Sequence, residues 1–323
     1  MKKIALEEHF MAPGFMEYEA AVTGLLNPQM LEAVNKRLPE FSQQRLEMMD
    51  KAGIELSVLS QTSPGLQGEK DAKIAACKAI EANDFLYSEI AKNPKRYAGF
   101  AHLAMHEPET ATAELNRCVK ELNFVGAMIN GQTNGVYLDD QKYIPFWEKA
   151  DELDVPIYIH PGNPFQVPYV FKDYPAMQGA FWGWGTETAS HTIRLIMSGL
   201  FDRLPKLKII LGHMGEGLPF TLWRFDSRWP GSIHTKELKK PPSHYIKENI
   251  IITISGVFDA PPLLCSMAAI GVDNILFSTD YPYEDPIVAA EFIENVKISE
   301  EDRAKICYKN AERILKIKRT AGV

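Results

Sequence analysis

The sequence predicts an α/β fold: a (β/α)8 TIM barrel with loop insertions over the C-terminal face of its sheet. Eight short runs rich in Ile, Val, Leu and Phe recur along the chain, with helical stretches between them. Repeated alternation of strand and helix is the pattern of a closed parallel sheet. Four of the eight runs also end in residues able to bind a divalent cation. These ends are Leu6-Glu7-Glu8-His9, Ile157-Tyr158-Ile159-His160, Ile209-Ile210-Leu211-Gly212-His213 and Ile275-Leu276-Phe277-Ser278-Thr279-Asp280. Two ligands from the first strand, one from the fifth and one from the eighth meet on a single metal only if the sheet is rolled into a barrel.

The strands are expected over Ile4 to His9, Leu56 to Gln61, Tyr97 to Leu103, Val125 to Asn130, Pro156 to His160, Lys208 to His213, Ile250 to Ser255 and Ile275 to Asp280. Most are continuous apolar runs, as suits parallel strands buried on both faces. Helices are expected over Asp71 to Asn93, Glu109 to Glu121, Tyr143 to Leu153 and Glu187 to Ser198. Asn93-Pro94, Leu153-Asp154-Val155-Pro156 and Leu204-Pro205 read as turns into the next strand. Extra material follows the first strand (Met11 to Asn35), the fifth (Pro161 to Trp184) and the sixth (Trp229 to Tyr245). The second insertion is dense in Pro, Phe, Tyr and Trp and follows His160 directly. Its aromatics either line a pocket for a flat ligand or pack the loop onto the barrel.

At 323 residues, with 46% hydrophobic and 24% charged residues, the chain has the size and composition of one barrel domain spanning 1–323. A net charge of -7 argues against nucleic acid or an anionic membrane as partner. The basic stretch Lys236 to Lys240 is interrupted by Glu237 and reads as a solvated loop. Cys77, Cys118, Cys265 and Cys307 are widely spaced, without a CxxC pair, and read as buried thiols. No apolar run approaches the ~20 residues that span a bilayer, and Met1-Lys2-Lys3 is too short to precede a signal-peptide core. A cytoplasmic protein is expected.

Catalytic groups of such a barrel sit at the carboxyl ends of its strands. Here those ends carry Glu7 and His9, Gln61, His102, Asn130, His160, His213, Ser255 and Asp280. Any one of them alone reads as a cap or a satisfied core residue. Three histidines and two carboxylates converging on one face would repel or stand unpaired without a cation, and imidazole with carboxylate suits Zn²⁺, Mn²⁺ or Fe²⁺. Alternation along a strand sends Glu7 and His9 to one face and Glu8 to the other, so Glu8 reads as structural. His102 and His106 read as hydrogen-bonded loop residues, Glu187 and His191 as a helix-surface pair, and His234 and His244 as solvated.

At these residues the chain resembles the amidohydrolase superfamily. The resemblance rests on Leu6-Glu7-Glu8-His9-Phe10, Ile159-His160-Pro161, Leu211-Gly212-His213-Met214-Gly215-Glu216 and Phe277-Ser278-Thr279-Asp280-Tyr281-Pro282. More narrowly, the chain resembles the branch of non-oxidative aromatic acid decarboxylases, including those acting on γ-resorcylate, 2,3-dihydroxybenzoate and 5-carboxyvanillate. The likeness extends through Arg45-Leu46-Glu47-Met48-Met49-Asp50, Phe124-Val125-Gly126-Ala127 and Ser198-Gly199-Leu200-Phe201-Asp202-Arg203.

The resemblance implies that Glu7, His9, His160 and Asp280 bind the metal. It places His213 and Glu216 as a pair beside it, makes Asp280 also the proton donor to carbon, and gives Arg224 a role in binding the substrate. Some members of the branch have Ala where His9 stands. Many hydrolytic members hold two metals bridged by a modified Lys. The fourth strand's end, Gly126-Ala127-Met128-Ile129-Asn130, offers no such residue. One divalent metal per chain, Zn²⁺ or Mn²⁺, is therefore expected, with a small aromatic acid as substrate and a homo-oligomer, dimer or tetramer, as the assembly. Arg224 serves either its own site or a neighbour's.

The activity so implied is non-oxidative, reversible decarboxylation of an ortho-hydroxybenzoate by a metal-dependent carbon-carbon lyase. The alternative on the same barrel is a metal-dependent hydrolase of an ester, lactone or amide, with Asp280 as base and His213 polarising the carbonyl. A barrel that only binds metal or ligand would be expected to lack part of the ligand set, and this chain keeps all of it.

Overall fold

A computed structural model describes residues 1–18 and 26–317. Eight parallel strands run in sequence order around a barrel: β1 (Lys3–Phe10), β2 (Ile54–Gln61), β3 (Tyr97–Gly99, continued as Ala101–His102), β4 (Ala127–Asn130), β5 (Ile157–His160), β6 (Ile209–Leu211), β7 (Ile250–Thr253) and β8 (Ile275–Leu276). The third strand is interrupted at Phe100 because it changes neighbours there. Phe100 N–H donates to the Leu59 carbonyl at 2.9 Å, whereas Ala101 N–H donates to Gly126 at 2.9 Å. The ring closes between β1 and the segment after β8, where Leu6 N–H donates to Phe277 (3.3 Å) and His9 N–H donates to Tyr281 (2.7 Å).

Inside the barrel, Leu6, Phe100, Met128, Tyr158, Ile210 and Leu276 belong to one buried cluster, which Ala311 and Leu315 join from the C-terminal helical run. The opposite faces of the strands pack against the surrounding helices in a second, larger cluster. Among the described residues, the helices of seven residues or more are α1 (Pro28–Arg37), α2 (Gln44–Ala52), α3 (Ala72–Lys92), α4 (Pro108–Lys120), α5 (Ile144–Leu153), α6 (Gly183–Met197), α7 (Leu222–Arg228), α8 (Pro242–Asn249), α9 (Ala260–Ile270) and α10 (Pro286–Asn295). Asp71 starts α3 as its cap, its carboxylate accepting from Lys73 N–H (2.8 Å) and Ile74 N–H (3.1 Å).

Several expectations need correction. Helix α6 begins at Gly183, a full turn before Glu187, and that turn carries Trp184 to the barrel mouth. Residues 19–25 of the insertion after β1 lie outside the described residues. Cys118 and Cys307 are buried, but Cys77 is exposed and Cys265 half-buried. Glu187 and His191 do not form a surface pair. His191 is buried and its Nε2 accepts from Leu138 N–H (2.9 Å), while Glu187 accepts from the Tyr137 hydroxyl, so both fasten the loop after β4. His234 is not simply solvated: its ring stacks on Trp229 at 4.2 Å. Among the described residues, no helix is long and apolar enough to cross a membrane.

Candidate metal centre

Regular alternation along β1 would put Leu6 and Glu8 inside the barrel and send Glu7 outward with Ala5. The strand avoids this with a bulge. Ala5 pairs with Ser57 and Glu8 with Leu59, so β1 spends one residue more than β2 over this stretch. Glu7 takes the extra position in the left-handed region, φ 60°. Its carboxylate thereby joins the interior face directly above Leu6, and His9 follows it. The grouping expected from the sequence holds, but the bulge produces it.

Asp280, His213 and Glu216 also stand at positive φ, 67°, 48° and 54°. Each such residue costs of the order of 1–3 kcal/mol, and here the strain collects around one site. Gly212 is required for a close approach: a Cβ there would lie 2.8 Å from Glu7 Oε1.

The ligand atoms of Glu7, His9, His160 and Asp280 all lie within 4.8 Å of one another. Glu7 Oε2 accepts from the Tyr158 and Ser255 hydroxyls, which fix the carboxylate and leave Oε1 turned toward the cluster. His160 is held through Nδ1, which donates to the Pro161 carbonyl at 2.9 Å, so the Nε2 lone pair faces Glu7 Oε1 at 3.4 Å. His9 Nδ1 lies 3.3 Å from the Ser60 hydroxyl, and its Nε2 lies 3.2 Å from Asp280 Oδ1.

Glu7 Oε1 and His9 Nε2 are buried without a hydrogen-bond partner. A carboxylate oxygen and an imidazole nitrogen left open side by side in a closed site fit a cation. Burial pushes the Glu7 carboxyl up, against the pull of His213. Burial, with His9 nearby, pushes His160 well below the usual histidine range and keeps it a neutral donor.

His213 sits at the edge of this group. Its Nδ1 bonds Glu216 Oε1 at 2.8 Å, its backbone N–H donates to the Ser255 hydroxyl at 3.1 Å, and its Nε2 lies 3.6 Å from Asp280 Oδ2. Burial opposes a charge on this ring, but Glu216, Glu7 and Asp280 outweigh it and hold His213 well above the usual range. Burial would raise Asp280, yet His213 and His9 outweigh it and hold that carboxyl below the ordinary carboxylate range. The two shifts run in opposite directions, favouring the proton on His213 over Asp280.

Glu8 points away from the cluster, as expected. Its carboxyl accepts from Thr279 N–H (2.9 Å) and the Thr279 hydroxyl (2.7 Å), and burial pushes it up to about 8. Arg45, buried and lying 4.7 Å over the Tyr281 ring, donates to the His9 carbonyl at 2.6 Å. These contacts hold β1 against the segment carrying Asp280. His102 is a buried structural residue whose Nε2 accepts from Leu66 N–H (2.9 Å), and burial brings it down to about 3. His106 bonds the Glu69 carbonyl at 2.8 Å. Arg224 is exposed on α7, and its side chain makes no hydrogen bond or ion pair among the described residues; the structure does not bring it to the cluster.

A cavity of ≈ 470 Å³ opens beside the cluster, lined by Pro161, Trp182, Trp184, His213, Glu216 and Val257 among others, a size suited to a small ligand. Trp184 stands with its ring centroid 6.4 Å from that of His160 and donates from Nε1 to Asn163 Oδ1 at 2.7 Å. The insertion after β5 thus divides its aromatics: Trp184 stands beside the site, Phe171 is buried, and Tyr169 and Tyr174 are exposed.

The amidohydrolase family model matches residues 9–317. The γ-resorcylate decarboxylase of Polaromonas sp. strain JS666 is 44% identical, over 98% of this chain and 99% of its own length. A crystal structure of 2,6-dihydroxybenzoate decarboxylase complexed with 2,6-dihydroxybenzoate matches with a TM-score of 0.93 and 41% identity, over 98% of this chain and all (100%) of its own. The dihydroxybenzoic acid decarboxylase of Polaromonas sp. JS666, with manganese and the inhibitor 2-nitroresorcinol, matches at TM-score 0.93 and 43% identity, over 99% of this chain and 98% of its own.

Proposed function

The chain belongs to the amidohydrolase family, and we propose that it is a metal-dependent carbon-carbon lyase that removes the carboxylate of an ortho-hydroxybenzoate, such as 2,6-dihydroxybenzoate, as CO₂. The observation that carries this reading is the four-residue cluster, with its unpartnered Glu7 Oε1 and His9 Nε2, opening beside an aromatic-lined cavity. The likeness to hydroxybenzoate decarboxylases over nearly the whole chain sets it above hydrolysis on the same barrel.

Glu7, His9, His160 and Asp280 would hold one divalent ion, Mn²⁺ or Zn²⁺. When bound, the ion supplies positive charge and a template for the substrate's carboxylate and adjacent phenol oxygen. The residues supply the proton. Expelling CO₂ directly would leave an electron pair in the plane of the ring with nowhere to delocalise. Protonating the carboxyl-bearing carbon first avoids this: the C–CO₂ bond then breaks, its electron pair restores the aromatic ring, and CO₂ leaves. A hydroxyl ortho to the carboxylate makes that carbon basic.

Asp280 delivers the proton to carbon and His213, held by Glu216, restores it across the 3.6 Å between Nε2 and Oδ2. An anionic ring in the closed site raises the proton affinity of Asp280 against the depression seen without substrate. Trp184 and Pro161 bound the space for the flat ring.

The substrate test follows from the hydroxyl. Manganese-loaded protein should release CO₂ from benzoates with an ortho hydroxyl, and 4-hydroxybenzoate should react at least about 100-fold more slowly, since it lacks both the template contact and the activated carbon. Comparable turnover of 4-hydroxybenzoate would contradict the reading.

A homo-oligomer of one-domain subunits in the cytoplasm belongs to the same reading. It is supported by large apolar side chains left exposed on the loop after β5 and on and before α7, including Tyr169, Phe181, Trp182, Phe220 and Trp223. Arg224 neighbours Trp223 on that exposed surface, which suits a contribution to an adjoining subunit's site. Light scattering giving the mass of one 36.4 kDa chain at micromolar concentration would contradict it.

A further inference from the structure

Asn130 ends β4 with a side chain that has nothing to bond. The residue is 2% exposed, and both Oδ1 and Nδ2 are buried without a partner among the described residues. Its backbone N–H donates to Gln67 Oε1 at 3.3 Å, so only the side-chain amide is open. A buried amide left unpaired is costly, and native proteins seldom keep one without a reason.

Its position says what the amide can meet. Met128, two residues earlier, packs inside the barrel, so Asn130 faces inward at the mouth. Asn130 is the register partner of His160 across the β4–β5 pair, and neighbouring strands lie about 4.8 Å apart. Around the rim, His160 stands between Asn130 on one side and His213 on the other. The neighbours supply no partner. His102 Nε2 is taken by Leu66 N–H, and Gly65 roofs the amide so closely that a Cβ there would lie 3.2 Å from Nδ2.

From this geometry we infer that Asn130 is a specificity-determining residue that reads a second ring hydroxyl, ortho to the carboxylate on the side away from His213. Oδ1 accepts from that hydroxyl as a phenol, and Nδ2 donates to it as a phenolate. The inference rests on the decarboxylase reading and narrows it: an acid with hydroxyls on both sides of the carboxylate satisfies the amide, whereas 2-hydroxybenzoate leaves it unpaired. A site built to bond a hydroxyl discriminates strongly against the analogue lacking it.

The test compares 2,6-dihydroxybenzoate with 2-hydroxybenzoate in manganese-loaded wild type, Asn130→Ala and Asn130→Asp, with resorcinol and phenol binding followed by tryptophan fluorescence. Wild type should favour the dihydroxy acid by about tenfold or more in kcat/KM, mostly through KM, and bind resorcinol more tightly than phenol by a similar factor. Asn130→Ala should erase most of both preferences. Asn130→Asp keeps an oxygen that accepts from a phenol but loses the donor to a phenolate, and should retain more of the resorcinol preference than Asn130→Ala while losing part of the preference between the acids.

Equal loss on both acids and both phenols, or unchanged preferences in the variants, would mean that the amide holds a buried water, and would overturn the inference. If wild type decarboxylates neither acid, the decarboxylase reading fails, and the resorcinol-to-phenol ratio still decides the role of Asn130.

Discussion

Asp280→Asn, loaded with manganese, should lose about 10³-fold or more in turnover of an ortho-hydroxybenzoate, the upper part of the range for removing a positioned general acid. Asparagine keeps the shape of Asp280 and an oxygen for the cation, but its amide has no acidic proton to give to carbon. Asp280 is also one of the four residues clustered within 4.8 Å, so loss of metal must be separated from loss of the donor. Excess Mn²⁺ during loading, followed by elemental analysis of the variant, makes that separation. A metal-replete variant that decarboxylates at near the wild-type rate would remove Asp280 as donor. His213, whose Nε2 stands 3.6 Å from the same carboxylate, would then be the candidate.

His160→Ala should lose both metal and activity. His160 is buried, neutral and oriented by the Pro161 carbonyl, and even outer-shell partners of metal ligands are worth 10–100-fold in affinity, so a ligand itself should cost more than about 100-fold. Wild type purified without chelator should carry one divalent ion per chain. Stripping it should abolish turnover and lower the melting temperature, because an ion bound only by the folded state stabilises by about 2.7 kcal/mol at 100 times its Kd. Two tightly held ions per chain, or full activity after chelation, would contradict a single-metal site.

The barrel was legible because parallel strands buried on both faces read as unbroken apolar runs, and because nearly every run closes on a polar residue at the barrel mouth. That pattern gathered Glu7, His9, His160, His213 and Asp280 at one face, and the family resemblance set Glu7, His9, His160 and Asp280 apart as the ligands. The means of grouping them was not legible. Leu6-Glu7-Glu8-His9 contains no Gly or Pro to announce a bulge, and the left-handed Glu7 appears only once β1 is paired with β2.

Tyr158, which anchors Glu7, passed as one more large residue in an Ile-rich strand. Its place two residues before His160, hence on the same face, was the available signal. Ser255 was visible as a polar strand end without its partner, since the partner lies 248 residues away. His191 passed as a surface residue because a four-residue spacing to Glu187 says which side chains share a face, but not that the loop after β4 covers them. Arg224 was placed by resemblance alone, and the helix that carries it leaves it on the surface.

The most direct test of the central claim is to incubate manganese-loaded protein with 2,6-dihydroxybenzoate in deuterated water and follow both products by mass spectrometry. The account predicts one CO₂ for each acid consumed, and resorcinol bearing one deuterium at the carbon that lost CO₂. The acid recovered unchanged from metal-replete protein that hydrolyses a lactone or ester under the same conditions would contradict it.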